Sequence, residues 1–151
     1  MEQIIETWEI NSRINLYLLD AIAEANLTAI ATSKGRNVGE QFAHLHNVRL
    51  MWLKQAAPNL MDGLEKIEKE NINKKLLKTS LTNSARAVAT MMRDALKEGK
   101  LKGFKPHPTA FLGYIIAHES HHRGQIVLCM KQSGVPVDKK VLFGMWEWGT
   151  R

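Results

Sequence analysis

The most specific pattern in the sequence runs from Tyr114 to Val127 and reads YIIAHESHHRGQIV. It lies inside a segment from about Thr109 to Gln132 whose apolar residues recur at helical spacing, so we predict a helix there. His118 and His122 are four residues apart and therefore lie one above the other on the same face of that helix. The same face is otherwise apolar and continues through Phe111, Ile115, Ile126 and Cys129.

Two imidazoles on a stripe that faces the core need partners for their ring nitrogens. A metal ion supplies such a partner, and we take His118 and His122 as metal ligands. The alternative is a pair of core histidines that hydrogen-bond to neighbouring helices. His121 projects off the stripe, so we expect it beside the ligands, in contact with substrate, or at the surface.

A second histidine cluster occurs in a predicted helix from about Val38 to Ala57. His44 shares one stripe with Val48 and Trp52, whereas His46 shares a nearly opposite stripe with apolar residues of its own. Both stripes are partly apolar, and the aromatic and β-branched residues favour the His44 stripe as the core face. We therefore predict His44 as the third ligand and place His46, Asn47 and Arg49 around the site or the substrate.

Three imidazoles leave coordination positions open, whereas structural zinc sites usually fill four positions with protein ligands. Three nitrogen ligands suit Zn, Ni, Fe or Cu, and ligand type does not choose among them; we expect Zn or Ni, with Fe, Mn or Cu as alternatives. Cys129 lies seven residues beyond His122, about 10 Å along the helix axis, and is too far away to bind the same ion. Imidazole must be neutral to bind metal, so we expect affinity to fall as the pH drops through about 6–7.

The same segment also matches the H-E-x-x-H pattern of zinc peptidases, with Glu119 as the general base. No histidine follows His122 to complete that ligand set. The alternative for Glu119 is a pair with Arg123 on the flank of the helix. We keep a zinc-dependent hydrolase as a less favoured function.

The rest of the chain fits an all-α fold built from one domain, residues 1–151. Two more helices are predicted, from about Ile4 to Ala25 and from about Leu81 to Glu98, the latter capped by Ser80. A polar connector from Pro58 to about Thr79 separates the second helix from the third. The tail from Val135 to Arg151 is predicted to be extended and to pack on the helices. Four amphipathic helices with one long crossover predict a four-helix bundle.

Composition limits the classes of function. The chain has 151 residues, a single cysteine and a net charge of +6, so it needs no disulfide to build a core. We find neither a signal peptide nor a membrane span and expect a cytoplasmic protein with no membrane partner. The lysines are dispersed rather than interleaved with aromatics, so a nucleic-acid-binding module is the weakest class considered.

At three stretches the sequence resembles the DinB/YfiT-like family, and the resemblance covers nearly the whole chain. The stretches are WEINSRINLYLL from Trp8 to Leu19, GEQFAHLHNVRLMWL from Gly39 to Leu53, and YIIAHESHHRGQIV from Tyr114 to Val127. The resemblance implies an up-down-down-up four-helix bundle. It also implies a divalent metal held by His44 from the second helix and by the His118–His122 pair from the last long helix.

The family includes enzymes that use a low-molecular-weight thiol such as mycothiol or bacillithiol. Many of its members resemble homodimers, so the resemblance also implies a homodimer. The resemblance therefore implies a metal-dependent transferase that combines a small thiol with an electrophilic substrate. Other members are known as damage-inducible or stress-related proteins, so a non-catalytic metal-binding stress protein is the alternative.

Overall fold

The computed structural model describes residues 1–151 and is all-helical, as predicted. The helices are α1 (Glu2–Asp20), α2 (Val38–Ala56), α3 (Lys74–Glu98), α4 (Pro108–Gln132) and α5 (Lys139–Gly144). The one β-type contact is an isolated bridge between Leu101 and Phe104. No helix combines the length and apolarity that crossing a bilayer requires.

Helix α3 begins earlier than the sequence indicates. We predicted a start near Leu81 with Ser80 as its cap, but the helix begins at Lys74, and the side chain of Asn73 accepts a hydrogen bond from the backbone N–H of Leu76. The residues of the additional turns are mostly polar. The Lys74 side chain, for example, donates to the backbone oxygens of Asp20 and Ile22, at and just beyond the end of α1. These polar residues interrupt the apolar helical period in the sequence, although the buried Leu77 continues it.

The predicted ends of two other segments also differ from the structure. Helix α1 ends at Asp20, and a short 3₁₀ turn (Glu24–Thr28) replaces the predicted last helical turn. The tail is not simply extended: Asp138 caps the short helix α5, and the chain then turns at Trp148–Thr150. Several tail side chains pack against the core, but the Trp146 side chain is 80% exposed.

Contacts between side chains give the relative directions of the long helices. Helix α1 runs antiparallel to α3, since Glu9 pairs with Arg93 while Asp20 pairs with Lys78. Helix α2 runs antiparallel to α4, since Gln41 contacts His122 while Trp52 packs on Phe111. Helix α2 also packs along α3, and α1 along α4.

The apolar core is divided into two clusters. One lies at the end of the molecule that holds Leu18, Phe42 and Ile126, and the other at the end that holds Trp8 and Phe111. Between them each long helix contributes buried polar side chains. This polar layer comprises Asn11, Asn15, Arg49, Ser84, Glu119 and Arg123. Helices α2 and α4 present the histidines at the same height.

Candidate metal centre

His44, His118 and His122 come together between α2 and α4. One ring nitrogen from each lies within 4.8 Å of the others. The ring centroids are 4.5 Å apart for His44 and His122, 4.6 Å for His118 and His122, and 5.3 Å for His44 and His118. The three histidines, hereafter the histidine trio, are close enough to hold one metal ion.

The surroundings of the histidine trio keep the imidazoles neutral. Burial, with smaller contributions from the neighbouring positive groups, lowers the pKa of His44 to about 4 and that of His122 to about 3. Burial also lowers the pKa of His118. Neutral imidazole is the form that binds a metal ion, so the donor set fits a divalent cation at neutral pH.

Gln41 fixes the orientation of His122. Its side-chain oxygen lies 2.6 Å from Nδ1 of His122. Because a carbonyl oxygen can only accept, Nδ1 carries the proton and donates it, and Nε2 keeps its lone pair for a cation. Nδ1 of His118 is buried and has no hydrogen-bond partner, so no protein group competes for that nitrogen. Gln41 was not among the site residues predicted from the sequence.

The face of α2 that packs into the core is the His46 stripe, which we did not favour. Phe42, His46 and Leu53 are buried, whereas Val48 and Trp52, which share the His44 stripe, are only half-buried. The prediction that the His44 stripe faces the core is therefore wrong. His44 lies at the half-buried edge of α2, where it meets α4, and such an edge suits a site that must be reached from solvent.

His46 and Asn47 point toward the connector rather than toward the histidine trio. Nε2 of His46 lies 2.8 Å from the backbone oxygen of Glu65. The Asn47 side chain both donates to the backbone oxygen of Ile67 and accepts from its N–H. Both residues hold the connector against α2. His46 therefore has a structural contact, whereas Asn47 also lines a cavity that His44 borders and stays a candidate substrate contact.

Glu119 is buried in the polar layer. Its Oε1 accepts from Nε of Arg49 at 2.7 Å, and its Oε2 accepts from Nη2 of Arg49 at 3.0 Å. The side-chain amides of Asn11 and Asn15 donate to the same Oε2. The prediction that Glu119 pairs with Arg123 on the helix flank is thus wrong. With four hydrogen bonds and 1% exposure, this carboxylate is in no position to act as the base of an H-E-x-x-H peptidase.

Arg49 and Arg123 complete the polar layer. Arg49 also donates to the backbone oxygen of Leu81 and lies 4.8 Å over the ring of Trp8. Arg123 donates through Nη1 to the side-chain oxygens of Asn11 and Asn15. These contacts link α1, α2, α3 and α4, so Arg49 has a structural position and does not touch the open side of the histidine trio.

The remaining neighbours of the histidine trio are exposed or half-exposed. His121 is exposed, and its ring centroid lies 5.1 Å from that of His122. Tyr114 lies one turn before His118, with its ring nearly parallel to the imidazole at 6.5 Å. The positive charge of Arg36 contributes to the lowered pKa of all three ligands. Sequence reasoning missed Arg36 because it precedes α2 in a loop.

A polar cavity of about 350 Å³ adjoins His44 on its outer side. Its basic side chains are Arg36, Lys66 and Lys69, and its acidic ones are Glu40 and Glu68. Lys66 pairs with Glu68, and Lys69 pairs with Glu40. Arg36 is therefore the cationic side chain of this cavity that forms no ion pair.

Two further residues have structural roles. His107 is the N-cap of α4, where its Nδ1 accepts from the backbone N–H of Ala110. Cys129 is buried, and its thiol contacts the backbone oxygen of Arg36 at 3.7 Å.

The sequence model of the DinB family matches residues 1–140. No curated protein and no solved structure matches the chain. The match spans α1 to α4, including the whole histidine trio.

Proposed function

The chain belongs to the DinB family, and from this premise we propose that it binds one divalent metal ion through His44, His118 and His122. We propose further that the ion would serve a transferase reaction, in which the sulfur of a small thiol bonds to an electrophilic carbon of the substrate, the thiol loses its proton and the substrate loses its leaving group. Imidazole donors suit several first-row metals; we propose Zn or Ni as the ion, with Fe, Mn and Cu as the alternatives.

The donor set supports the metal proposal. One ring nitrogen from each histidine lies within 4.8 Å of the others, and the lowered pKa values of the three imidazoles leave them neutral at pH 7. Gln41 holds His122 in the tautomer that leaves Nε2 free. A bound divalent ion lowers the pKa of a coordinated thiol or water, so a nucleophile is available at neutral pH.

One observation favours a catalytic role over a purely structural one: His44 belongs both to the histidine trio and to the wall of the 350 Å³ cavity. A site whose only task is to stabilise the fold is usually closed by a fourth protein ligand. Here the ligands number three, and one of them borders a space large enough for a small molecule. Arg36 supplies an unpaired positive charge there, which favours an anionic electrophile or thiol.

A zinc-dependent hydrolase that uses Glu119 as its base has less support. The hydrogen bonds from Arg49, Asn11 and Asn15 occupy both oxygens of this carboxylate. A general base must reach the proton that it removes, and Glu119 would have to leave a buried ion pair to do so.

We also propose that the four long helices form the up-down-down-up bundle implied by the family. The antiparallel pairs α1–α3 and α2–α4 support this arrangement, as does the side-by-side packing of α1 with α4. The homodimer, the cytoplasmic location and the role in a stress response stay predictions, and sedimentation equilibrium tests the first.

Elemental analysis tests the metal site. We expect one divalent ion per chain in the purified protein, and loss of that ion in His44→Ala and His118→Ala. His121→Ala is the matched control, because His121 is exposed on the same helix and lies outside the trio. Equal metal content in His118→Ala and His121→Ala would contradict the proposal.

Turnover tests the transferase. Metal-loaded protein is incubated with cysteine, glutathione, bacillithiol or mycothiol and with 1-chloro-2,4-dinitrobenzene, and thioether formation is followed. We expect activity with at least one thiol and loss of that activity in His118→Ala. Stoichiometric metal without turnover for any pair would favour the non-catalytic stress protein, in which chelation mainly lowers thermal stability.

A further inference from the structure

A second cavity, distinct from the histidine trio, lies between α4 and the C-terminal tail. Its volume is about 310 Å³, which is at the lower end of the range for small-molecule sites. Helix α4 contributes one wall, and the tail contributes the other. The lining residues include Ser120, Arg123, Gly124, Trp146 and Trp148.

The walls of this cavity, hereafter the tail cavity, are mostly apolar. Trp146 is 80% exposed at its edge, although a large apolar side chain without a partner loses the stabilisation that burial provides. Gly124 stands inside α4, where glycine costs about 1 kcal/mol relative to alanine. A Cβ added at Gly124 would meet no atom within 4 Å, so packing does not demand glycine there, and its absent side chain leaves the space open.

The polar side of the tail cavity is formed by a hydrogen-bonded pair. Nη2 of Arg123 donates to Oγ of Ser120 at 2.7 Å, and both residues line the cavity. Nη1 of Arg123 donates to Asn11 and Asn15. A guanidinium has five N–H donors, so Nε and the second proton of Nη2 have no acceptor from the protein.

The charge of the polar layer adjoining this cavity is not balanced. The charged side chains buried in the protein are Arg49, Arg123 and Glu119. Two guanidinium groups face one carboxylate, and Arg49 already holds that carboxylate in a bidentate pair. One positive charge is therefore left over, and of the two guanidinium groups it is Arg123 that lines the cavity. Buried charges are usually paired, so this charge favours an anion at Arg123.

We propose that the tail cavity binds a small carboxylate with an aromatic body. Its ring lies against Trp146 and Trp148, and its carboxylate accepts from Arg123 and Ser120. A guanidinium donates two parallel hydrogen bonds to a carboxylate, which matches the donors that Arg123 has left. A cavity of this volume has room for a single small molecule. It is too small to be the whole contact surface of a partner protein, because a stable interface between proteins buries more than about 1,000 Å².

The test uses 2-naphthoate as the probe and 2-naphthalenemethanol as its uncharged analogue. Binding to the full chain is followed by NMR through the indole N–H signals of its four tryptophans. We expect 2-naphthoate to shift the signals of Trp146 and Trp148 with a Kd below about 1 mM, and the alcohol to bind at least about tenfold more weakly. Equal binding of the two compounds would overturn the role of Arg123.

Gly124→Leu fills the tail cavity while retaining a good helix former. Gly113→Leu is the matched control, since Gly113 is an exposed glycine of α4 and a Cβ there also meets nothing within 4 Å. We expect Gly124→Leu to lose at least about tenfold in affinity for 2-naphthoate, and Gly113→Leu to bind like the parent.

Two other outcomes would overturn the proposal. A shift of the Trp52 indole with Trp146 and Trp148 unmoved would mean that the carboxylate binds near the histidine trio, because Trp52 packs on Tyr114 beside His118. A dimer that Gly124→Leu disrupts, together with no binding of 2-naphthoate, would assign the tail cavity to a contact between two copies of the chain.

Discussion

Arg49 of α2 and Glu119 of α4 form a bidentate ion pair in the middle of the core, with N–O distances of 2.7 and 3.0 Å and each side chain 1% exposed. The pair joins the two helices that supply the histidine trio. Because Glu119 follows His118 directly, fixing this carboxylate also fixes the rotation of α4 that points the imidazoles at α2.

Replacing Glu119 with glutamine should destabilise the protein strongly. Glu119→Gln leaves two buried guanidinium groups without a negative partner, so we expect a loss of about 3 kcal/mol or more in the free energy of unfolding, measured with urea. Glu68→Gln is the control, because its pair with Lys66 is exposed and should contribute less than about 1 kcal/mol. Equal losses in the two variants would contradict the structural role of Glu119.

Acid should destabilise the metal-free protein through the histidine trio. The folded pKa values of His44 and His122 are about 4 and about 3, below the ordinary value of 6.5. Between pH 6.5 and about 4 these histidines bind protons in the unfolded chain but stay neutral in the folded chain. The free energy of unfolding therefore falls as the pH drops through that window. Urea unfolding at pH 7 and pH 5 measures the loss.

The matched variant for this pH dependence is His44→Ala/His122→Ala, which should lose less stability over the same interval. An unchanged slope would show that other groups are responsible.

The lowered pKa values also revise the pH dependence of metal binding. Competition from protons, which we expected through about pH 6–7, should instead set in at lower pH.

Removing the hydrogen bond from Gln41 to His122 should weaken metal binding without unfolding the protein. Gln41→Ala frees Nδ1 of His122, and loss of such an orienting partner typically costs 10–100-fold in affinity. Competition with a chelating dye measures the change. Gln55→Ala, at an exposed position of the same helix, should bind metal like the parent, and equal affinity in the two variants would remove Gln41 from the site.

The position of the cap on α3 can be tested in the same way. Asn73→Ala removes the acceptor for the N–H of Leu76 and should cost about 1 kcal/mol of stability. Ser80→Ala, at the cap predicted from sequence, lies within the helix and should change stability by less than about 0.5 kcal/mol. The reverse order would place the start of α3 near Leu81.

The helical class and the histidine pair on α4 could be predicted from the sequence. Helical period and the spacing of four residues are local properties of a chain, so the common face of His118 and His122 follows without tertiary information. The family match over residues 1–140 likewise confirms the resemblance drawn from three short stretches.

Tertiary structure alone decided what each polar side chain contacts. The two stripes of α2 are both partly apolar, so only packing could show that His46 faces the core while His44 reaches α4 from its edge. Glu119 pairs with Arg49 of α2 instead of Arg123 one turn away, because a buried carboxylate pairs with groups buried at the same depth, and depth is not a local property of sequence. The ion pair, the orienting contact from Gln41 and the tail cavity are set by which helices become neighbours.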